Sequence, residues 1–296
     1  MTKNIAVLQS MRLPFLVLTP ACVLLAVAIA SFQQLPFSIT HSLIALVGAL
    51  AAHISVNTIN EYQDFKSGLD YKTEQTPFSG GSGLLPANPN LANTVFIISI
   101  ASVLVTVIVG GYFIFVHGWK ILPLGLIGIA IIISYTQWIN KAALVCLISP
   151  GLGFGILITG GTYFSITGDY NNNMWFITLI PFLLINNLLL LNQYPDIDAD
   201  KSTGRNHFPI KYGIKASTFV YIVSAVLAQC VLLTLIQLEY LPSLALLALV
   251  PMLLGYVSII GMMKLGENIA SQPKYLAANV MCSVLTPIVL SVTLLI

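Results

Sequence analysis

The chain has 296 residues, of which 57% are hydrophobic and only 7% are charged. Because about a quarter of the residues in an ordinary soluble domain are charged, this composition excludes a soluble globular protein and indicates one that lies in a lipid bilayer. The formal net charge of +2 gives no indication of a nucleic-acid partner.

Apolar stretches of membrane-spanning length recur along the whole chain. About 20 apolar residues in a helix cross the hydrocarbon core of a bilayer. Boundaries set by Pro, Gly, Asn and charged residues predict nine such helices, at 13–32, 37–60, 92–116, 121–139, 142–165, 174–194, 216–238, 241–263 and 275–296. The first stretch is longer than the apolar core of a cleaved signal peptide, about 7–15 residues. We therefore predict an all-α, polytopic membrane protein with a single domain over residues 1–296.

The basic residues predict how these helices are oriented. If the N-terminus is cytoplasmic, every one of the 12 basic residues except Lys120 falls on the cytoplasmic side, as the positive-inside rule requires. We expect an integral protein of a bacterial inner membrane, with its C-terminus on the opposite side. The acidic residues that follow the second and sixth helices then also face the cytoplasm.

The first acidic cluster follows the second predicted helix. Asn60 and Asp64 are four residues apart, so a helix presents both side chains on one face. Gly68 then loosens the chain before Asp70. These residues are oxygen-bearing side chains beside a long apolar helix, where polar groups usually have a functional role.

The second acidic cluster follows the sixth predicted helix and repeats the first. Asn192, Asp196 and Asp200 lie one helical turn apart on a single stripe. Asn192 and Asp196 each stand 132 residues after Asn60 and Asp64. Both segments run in the same direction through the membrane, which predicts a parallel repeat and not the inverted repeat of many secondary transporters.

Two opposed faces of carboxylate and amide oxygens suit a hard cation. Magnesium prefers one or two carboxylates together with water and the oxygens of a substrate phosphate. A bridging metal would also make a diphosphate a better leaving group. Basic residues near the clusters can contact the remaining phosphate oxygens, and these are Lys72, Lys201, Arg205 and Lys211.

Aromatic, histidine and glycine residues near the clusters carry further hypotheses. Tyr62, Tyr135 and Tyr194 flank the acidic segments and are predicted to stabilise an allylic cation with their ring faces, although tyrosines are also common at membrane interfaces. His207 lies beside Arg205 and either contacts the diphosphate, acts as a base or has only a role in the loop. The glycine-rich stretch at 80–83 is predicted to be a cytoplasmic loop that closes over the site.

Two motifs carry a resemblance to a known family. The stretch NTINEYQDFKSGLD begins at Asn57, and the stretch DIDADKSTGR begins at Asp196. Both resemble motifs of the intramembrane aromatic prenyltransferases of the ubiquinone and menaquinone pathways, in the same order and spacing. The chain looks most like the 1,4-dihydroxy-2-naphthoate polyprenyltransferases, which share the first motif and a segment similar to that between Phe154 and Phe164. It departs from their pattern at Pro195, directly before Asp196.

The resemblance implies a fold and a set of site residues. The implied fold is a bundle of nine transmembrane helices around a central cavity that opens sideways to lipid. One magnesium ion is implied at Asn60, Asp64 and Asp70, and a second ion at Asn192, Asp196 and Asp200. Asp64, Asp196 and Asp200 are thereby the expected catalytic residues, and the residues implied to face the diphosphate are Lys72, Lys141, Lys201 and Arg205.

The function predicted from these residues is an enzymatic group transfer. A polyprenyl diphosphate ionises to an allylic cation with the help of magnesium, and an aromatic acceptor, a quinone precursor such as 1,4-dihydroxy-2-naphthoate, attacks the cation. Two alternatives stay open on the sequence alone. One is a membrane terpene cyclase that uses the same ionisation, and the other is a transporter that couples a cation to its substrate.

Overall fold

The computed structural model describes residues 6–76 and 78–296. Over these residues the regular structure is helical, and nine helices, named α1 to α9, match the predicted spans. Their bounds are Leu18–Phe32, Ile39–Ser67, Ala92–His117, Leu122–Ser134, Ala143–Thr167, Asn172–Asn192, Phe208–Gln237, Leu249–Leu265 and Pro273–Leu295. The prediction of an all-α membrane protein is confirmed.

The number of membrane spans is close to the predicted nine. Seven of the described helices are long and apolar enough to cross a bilayer singly. An eighth span results if Leu8–Leu16 and Leu18–Phe32, which meet at a bend of 42°, count as one. The remaining apolar helix, Trp119–Ser134, is shorter than the other spans, so the count of nine is approximate.

The exposure of apolar side chains distinguishes the helices at the centre of the bundle from those at its rim. Leu25 of α1, Ile177 of α6 and Leu290 of α9 belong to one fully buried cluster at the centre. On α3, by contrast, Phe115 is 89% exposed and Ile97 is 66% exposed. Exposed apolar side chains continue along this helix from Phe96 to Val116, and so large an apolar surface indicates contact with lipid.

A cavity of about 680 Å³ lies inside the bundle, with walls from α1 to α6. Its two ends differ in chemistry. Both acidic clusters line one end, whereas apolar residues of α3 and α4 line the other. Val107 of α3 and Leu126 of α4 line the cavity and are also 51% and 60% exposed. The cavity therefore opens sideways between these two helices.

Candidate active site

The end of α2 places the first acidic cluster at the cavity wall. Asn60 and Asp64 lie on the same face of this helix, and both line the cavity. Gly68 ends the helix with a φ of 79°, a conformation that glycine adopts without steric cost. The 3₁₀ turn Leu69–Tyr71 follows directly, and it brings Asp70 back to the cavity beside Asp64.

The second acidic cluster does not lie on one continuous helix, so the predicted single stripe is wrong in its geometry. Helix α6 ends at Asn192, the 3₁₀ turn Tyr194–Asp196 follows, and a short helix, Ile197–Ser202, begins after it. Pro195 explains the break, because proline lacks the N–H that an α-helix needs and clashes with the preceding turn. Asn192, Asp196 and Asp200 nevertheless all line the cavity.

Arg205 joins the two acidic clusters. Its Nη1 donates to Asp200 Oδ1 at 2.9 Å, and its Nη2 forms an ion pair with Asp64. His207 Nε2 lies 3.0 Å from the other oxygen of Asp200. The backbone positions this segment, since Asn206 N donates to Asn140 O at 2.9 Å. One carboxylate from each motif, Asp64 and Asp200, therefore pairs with the same guanidinium group, that of Arg205.

The glycine-rich loop covers the same end of the cavity, as the sequence predicts. Gly80 N donates to Asp196 Oδ2 at 3.1 Å, and Ser82 N donates to Glu61 Oε2 at 3.1 Å. Gly81 packs against the first cluster, because a Cβ atom built on it would lie 2.9 Å from Asp70 Oδ1. The loop thus contacts both motifs at once. Pro77, which the sequence places just before it, lies outside the described residues.

Three oxygens of the predicted ligand set are buried and accept no hydrogen bond within residues 6–76 and 78–296. They are Asp70 Oδ2, Asn192 Oδ1 and Asp196 Oδ1. Buried acceptors without a partner are costly, and a hard cation satisfies such oxygens. No group of three His, Cys, Asp or Glu side chains in the described ranges is arranged to hold a metal by itself. The donor set therefore fits magnesium, which completes its coordination with water and phosphate oxygens.

The pKa of Asp70 reflects the crowding of buried carboxylates at this end of the cavity. Burial, together with the neighbouring carboxylates of Glu61 and Asp64, raises the pKa of Asp70 to about 8. A carboxyl group that gains a cation as a neighbour titrates at lower pH. A cation bound beside Asp70 would therefore lower the pKa of this carboxyl group and stabilise its charged form.

The three lysines implied to face the diphosphate lie at the surface, as does Lys211, and none of the four lines the cavity. Lys72, Lys141 and Lys201 are all exposed, and Lys72 Nζ donates to Ser202 Oγ at 3.3 Å. Lys141 points outward because its neighbour Asn140 takes the inward position in their 3₁₀ turn. The structure thus brings only Arg205 of the predicted diphosphate ligands into the cavity, and the role of the lysines stays a prediction.

Of the three predicted tyrosines, only Tyr135 lines the cavity. Tyr62 packs on Phe96, with ring centroids 4.8 Å apart. Tyr194 is 2% exposed and belongs to a buried apolar cluster. The structure therefore keeps Tyr135 as the candidate for stabilising a cation and places the other two rings in packing roles.

Arg12 lines the cavity, although its place in the sequence indicates only a basic residue on the cytoplasmic side. It adopts a left-handed conformation with φ 53° and ψ 54° between two short helical turns, and its side chain lines the cavity. Asn57 Nδ2 donates to the carbonyl oxygen of Met11 at 3.0 Å and so holds this turn against α2. The sequence feature that could have indicated this position is an arginine at the edge of the first apolar stretch.

The fold and the site define an integral membrane protein whose central cavity is apolar along its length and acidic at one end. Residues 17–280 match the model of the UbiA prenyltransferase family, and the chain belongs to that family.

Individual relatives agree with this assignment. Over 189 residues the chain is 28% identical to 1,4-dihydroxy-2-naphthoate octaprenyltransferase of Bacillus subtilis (strain 168). The aligned region covers 62% of this chain and 58% of that protein. A UbiA homolog from Archaeoglobus fulgidus, solved bound to DMAPP and Mg²⁺, is 16% identical with a TM-score of 0.65 over 98% of both chains. A digeranylgeranylglyceryl phosphate synthase structure is 15% identical with a TM-score of 0.68, over 100% of this chain and 99% of the other. These structures are similar in fold.

Proposed function

We propose that this protein transfers a polyprenyl group from a polyprenyl diphosphate to an aromatic acceptor, a quinone precursor such as 1,4-dihydroxy-2-naphthoate. One observation carries the proposal. Two acidic motifs with unpartnered oxygens meet at one end of a cavity that is mostly apolar elsewhere and opens to lipid. That arrangement fits a substrate with a diphosphate head and a long hydrocarbon tail. The naphthoate octaprenyltransferase relative supports the choice of acceptor.

The acidic end of the cavity is the proposed site of the diphosphate. Asn60, Asp64 and Asp70 on one side, and Asn192, Asp196 and Asp200 on the other, are the residues that would hold magnesium, which we propose as two ions. When bound, magnesium neutralises the diphosphate and makes it a better leaving group. The Mg²⁺ bound to the A. fulgidus homolog supports this cofactor.

The chain's own groups orient the diphosphate and enclose the reaction. Arg205 is the cation that already lies between the two motifs, and its planar guanidinium matches phosphate oxygens. The loop that carries Gly80 covers the site and excludes water, which would otherwise capture an allylic cation. Tyr135 offers its ring to that cation from the cavity wall. The C–O bond breaks with its electron pair on the diphosphate, and a ring carbon of the acceptor forms the new C–C bond to the allylic carbon. That ring carbon then loses its proton, or its carboxyl group as CO₂, and the ring becomes aromatic again.

The apolar part of the cavity is the proposed site of the prenyl chain. The opening between α3 and α4 lets a tail of any length extend into lipid. The positive-inside pattern supports a cytoplasmic active site in a bacterial inner membrane, with the N-terminus on the same side. We take residues 1–296 as one domain, because helices from both halves of the chain share the buried centre.

The test is identification of the product by mass spectrometry. Purified protein in lipid nanodiscs, given geranylgeranyl diphosphate, magnesium and a panel of aromatic acceptors, should form a prenylated aromatic product. Asp198→Asn is a matched control for Asp200→Asn, since Asp198 is exposed and Asp200 is buried in the same short helix. A hydrocarbon product without acceptor would indicate a cyclase, and intact diphosphate under all conditions would contradict the proposal.

A further inference from the structure

A polar stripe runs along the cavity face of α2. Its members are His53, Asn57, Asn60 and Asp64, spaced at four, seven and eleven residues from the first, and all line the cavity. Such spacing keeps side chains on one helix face. His53 is the deepest, since seven residues of helix place it about 10 Å below Asn60. It is an ionisable residue inside the membrane that the proposed diphosphate chemistry does not use.

The surroundings of His53 fix its ring. The residue is only 6% exposed, and its Nδ1 lies 2.9 Å from Thr19 Oγ1 of α1. Its ring meets that of Phe154 edge to face, with centroids 4.6 Å apart and an interplanar angle of 74°. The other ring nitrogen, Nε2, forms no hydrogen bond with any described residue, yet it is not sealed from the cavity. Nε2 therefore opens onto the cavity.

The hydroxyl of Thr19 determines which nitrogen of His53 carries the proton. Thr19 is fully buried, and its hydroxyl has no other hydrogen-bond partner among the residues the structure describes. If the hydroxyl accepted from Nδ1, its own proton would be left without an acceptor, which is costly in a buried site. The hydroxyl therefore donates to Nδ1. A neutral imidazole then carries its proton on Nε2, which faces the cavity as a donor.

The wall opposite His53 has an unusual backbone. Phe154 lies in a π-helical segment, Leu152–Ile158, within α5. Such segments occur often at functional sites. Gly155 lets this segment press against α6, because a Cβ atom there would lie 2.5 Å from Phe182 N. The segment thereby turns Phe154 toward the cavity and His53, so that one donor and one aromatic face meet at the same depth.

We propose that His53 binds the aromatic acceptor, with Nε2–H donating a hydrogen bond to an oxygen of a hydroxylated ring. Phe154 provides the apolar contact for the ring, and Thr19 is a positioning residue that holds the imidazole. A prenyl chain has no acceptor for this donor, and the diphosphate lies at the level of the acidic motifs. A fused-ring phenol that presents one carbon to the allylic end of the substrate extends deeper, toward His53. This inference rests on the proposed function.

The test separates the two nitrogens of His53. The His53→Gln variant retains an N–H near the position of Nε2, the His53→Asn variant moves it toward Nδ1, and the His53→Phe variant keeps only the ring. We expect the KM for 1,4-dihydroxy-2-naphthoate to rise about three- to tenfold in the His53→Asn and His53→Phe variants, as for one lost hydrogen bond. The KM of the His53→Gln variant should lie closer to wild type. The KM for geranylgeranyl diphosphate should stay constant in all three.

Thr19 supplies a second, independent pair of variants. Thr19→Val removes the hydroxyl at constant shape and should raise the KM for the acceptor, whereas Thr19→Ser should restore it. The matched control is His41→Gln, the same change on the same helix at a residue that contacts Tyr112 outside the cavity wall. Thermal unfolding of each variant in detergent reports any loss of folding.

The outcomes distinguish this inference from the function on which it rests. Two results would overturn the inference, because each would show that His53 only packs the wall. One is an equal effect on the KM values for the acceptor and for the diphosphate. The other is an unchanged KM for the acceptor in the His53→Phe and Thr19→Val variants. Wild-type protein that transfers no prenyl group to any acceptor would instead overturn the proposed function.

Discussion

Asp198 and Asp200 are two residues apart, yet the structure gives them opposite environments. Asp200 is 3% exposed and pairs with both Arg205 and His207, whereas Asp198 is exposed on the other side of the short helix. We expect Asp200→Asn to lower kcat/KM at least about 100-fold, the upper range for residues that support metal sites. Asp198→Asn should stay within about twofold of wild type, because surface substitutions have small effects. Equal losses in the two variants would mean that both carboxylates reach the ion.

The raised pKa of Asp70 predicts how the magnesium requirement depends on pH. With a pKa of about 8, the buried Asp70 carboxyl is mostly protonated below that pH and must lose its proton to bind a metal. The magnesium concentration for half-maximal activity should therefore fall as the pH rises from 6.5 toward 8, and then level off. Asp70→Asn should require more magnesium and show a flatter profile, measured by the same titration. A profile identical to that of wild type would exclude Asp70 as a ligand.

At the level of single residues, the sequence predicted cavity-lining positions better for the proposed metal ligands than for the lysines proposed to face the diphosphate. All six predicted metal ligands line the cavity, but spacing along a helix accounts only for Asn60 and Asp64, which share one face of α2. Lys72, Lys201 and Lys211 were predicted from their proximity to the clusters in sequence and Lys141 from the family resemblance, and the structure places all four at the surface. The position of Arg12 in the cavity wall and the hydrogen bond from Gly80 to Asp196 could not be predicted, since these contacts depend on how distant segments pack.

The loop that carries Gly80 and Gly81 is the element that closes the acidic end. Gly81 has a φ of 71° and lies against Asp70. Gly81→Ala should therefore lower activity about tenfold or more, because a left-handed alanine costs about 1–2 kcal/mol and its methyl group meets the carboxylate. Gly68→Ala is the control, because Gly68 is also left-handed, with φ 79° and ψ 7°, and no atom lies within 4 Å of the new Cβ. Assays at saturating magnesium should show a larger loss for Gly81→Ala than for the control, and equal losses would indicate backbone strain alone.

Helix breaks mark the limit of prediction at the level of elements. Apolar periodicity located the nine helices, but it could not locate the π-helical segment Leu152–Ile158 or the bend of 42° after Leu16. Pro195 interrupts the stripe that spacing alone predicts, and the structure shows that the chain reaches the cavity there through a 3₁₀ turn. Such irregularities follow from packing between helices, which a single sequence does not display.

The lateral opening between α3 and α4 predicts how the whole molecule accommodates long chains. Gly110 of α3 lines the cavity, and a Cβ atom there would have open space around it. Gly110→Phe should fill this space and lower kcat/KM for octaprenyl diphosphate far more than for geranyl diphosphate. Ile108→Phe is the control, since Ile108 is 60% exposed on the same helix and does not line the cavity. Competition between the two diphosphates measures the change directly, and an unaltered ratio would place the tail elsewhere.

The central claim is that carboxylates from both motifs act with magnesium on one diphosphate, and the metal dependence of prenyl transfer tests it most directly. Activity of the purified protein should vanish with a chelator and return with magnesium or manganese, both hard ions suited to oxygen ligands. Asp64→Ala and Asp196→Ala, one from each motif, should each abolish this recovery while the protein stays folded. Persistent activity in chelator, or comparable recovery in either variant, would contradict the account.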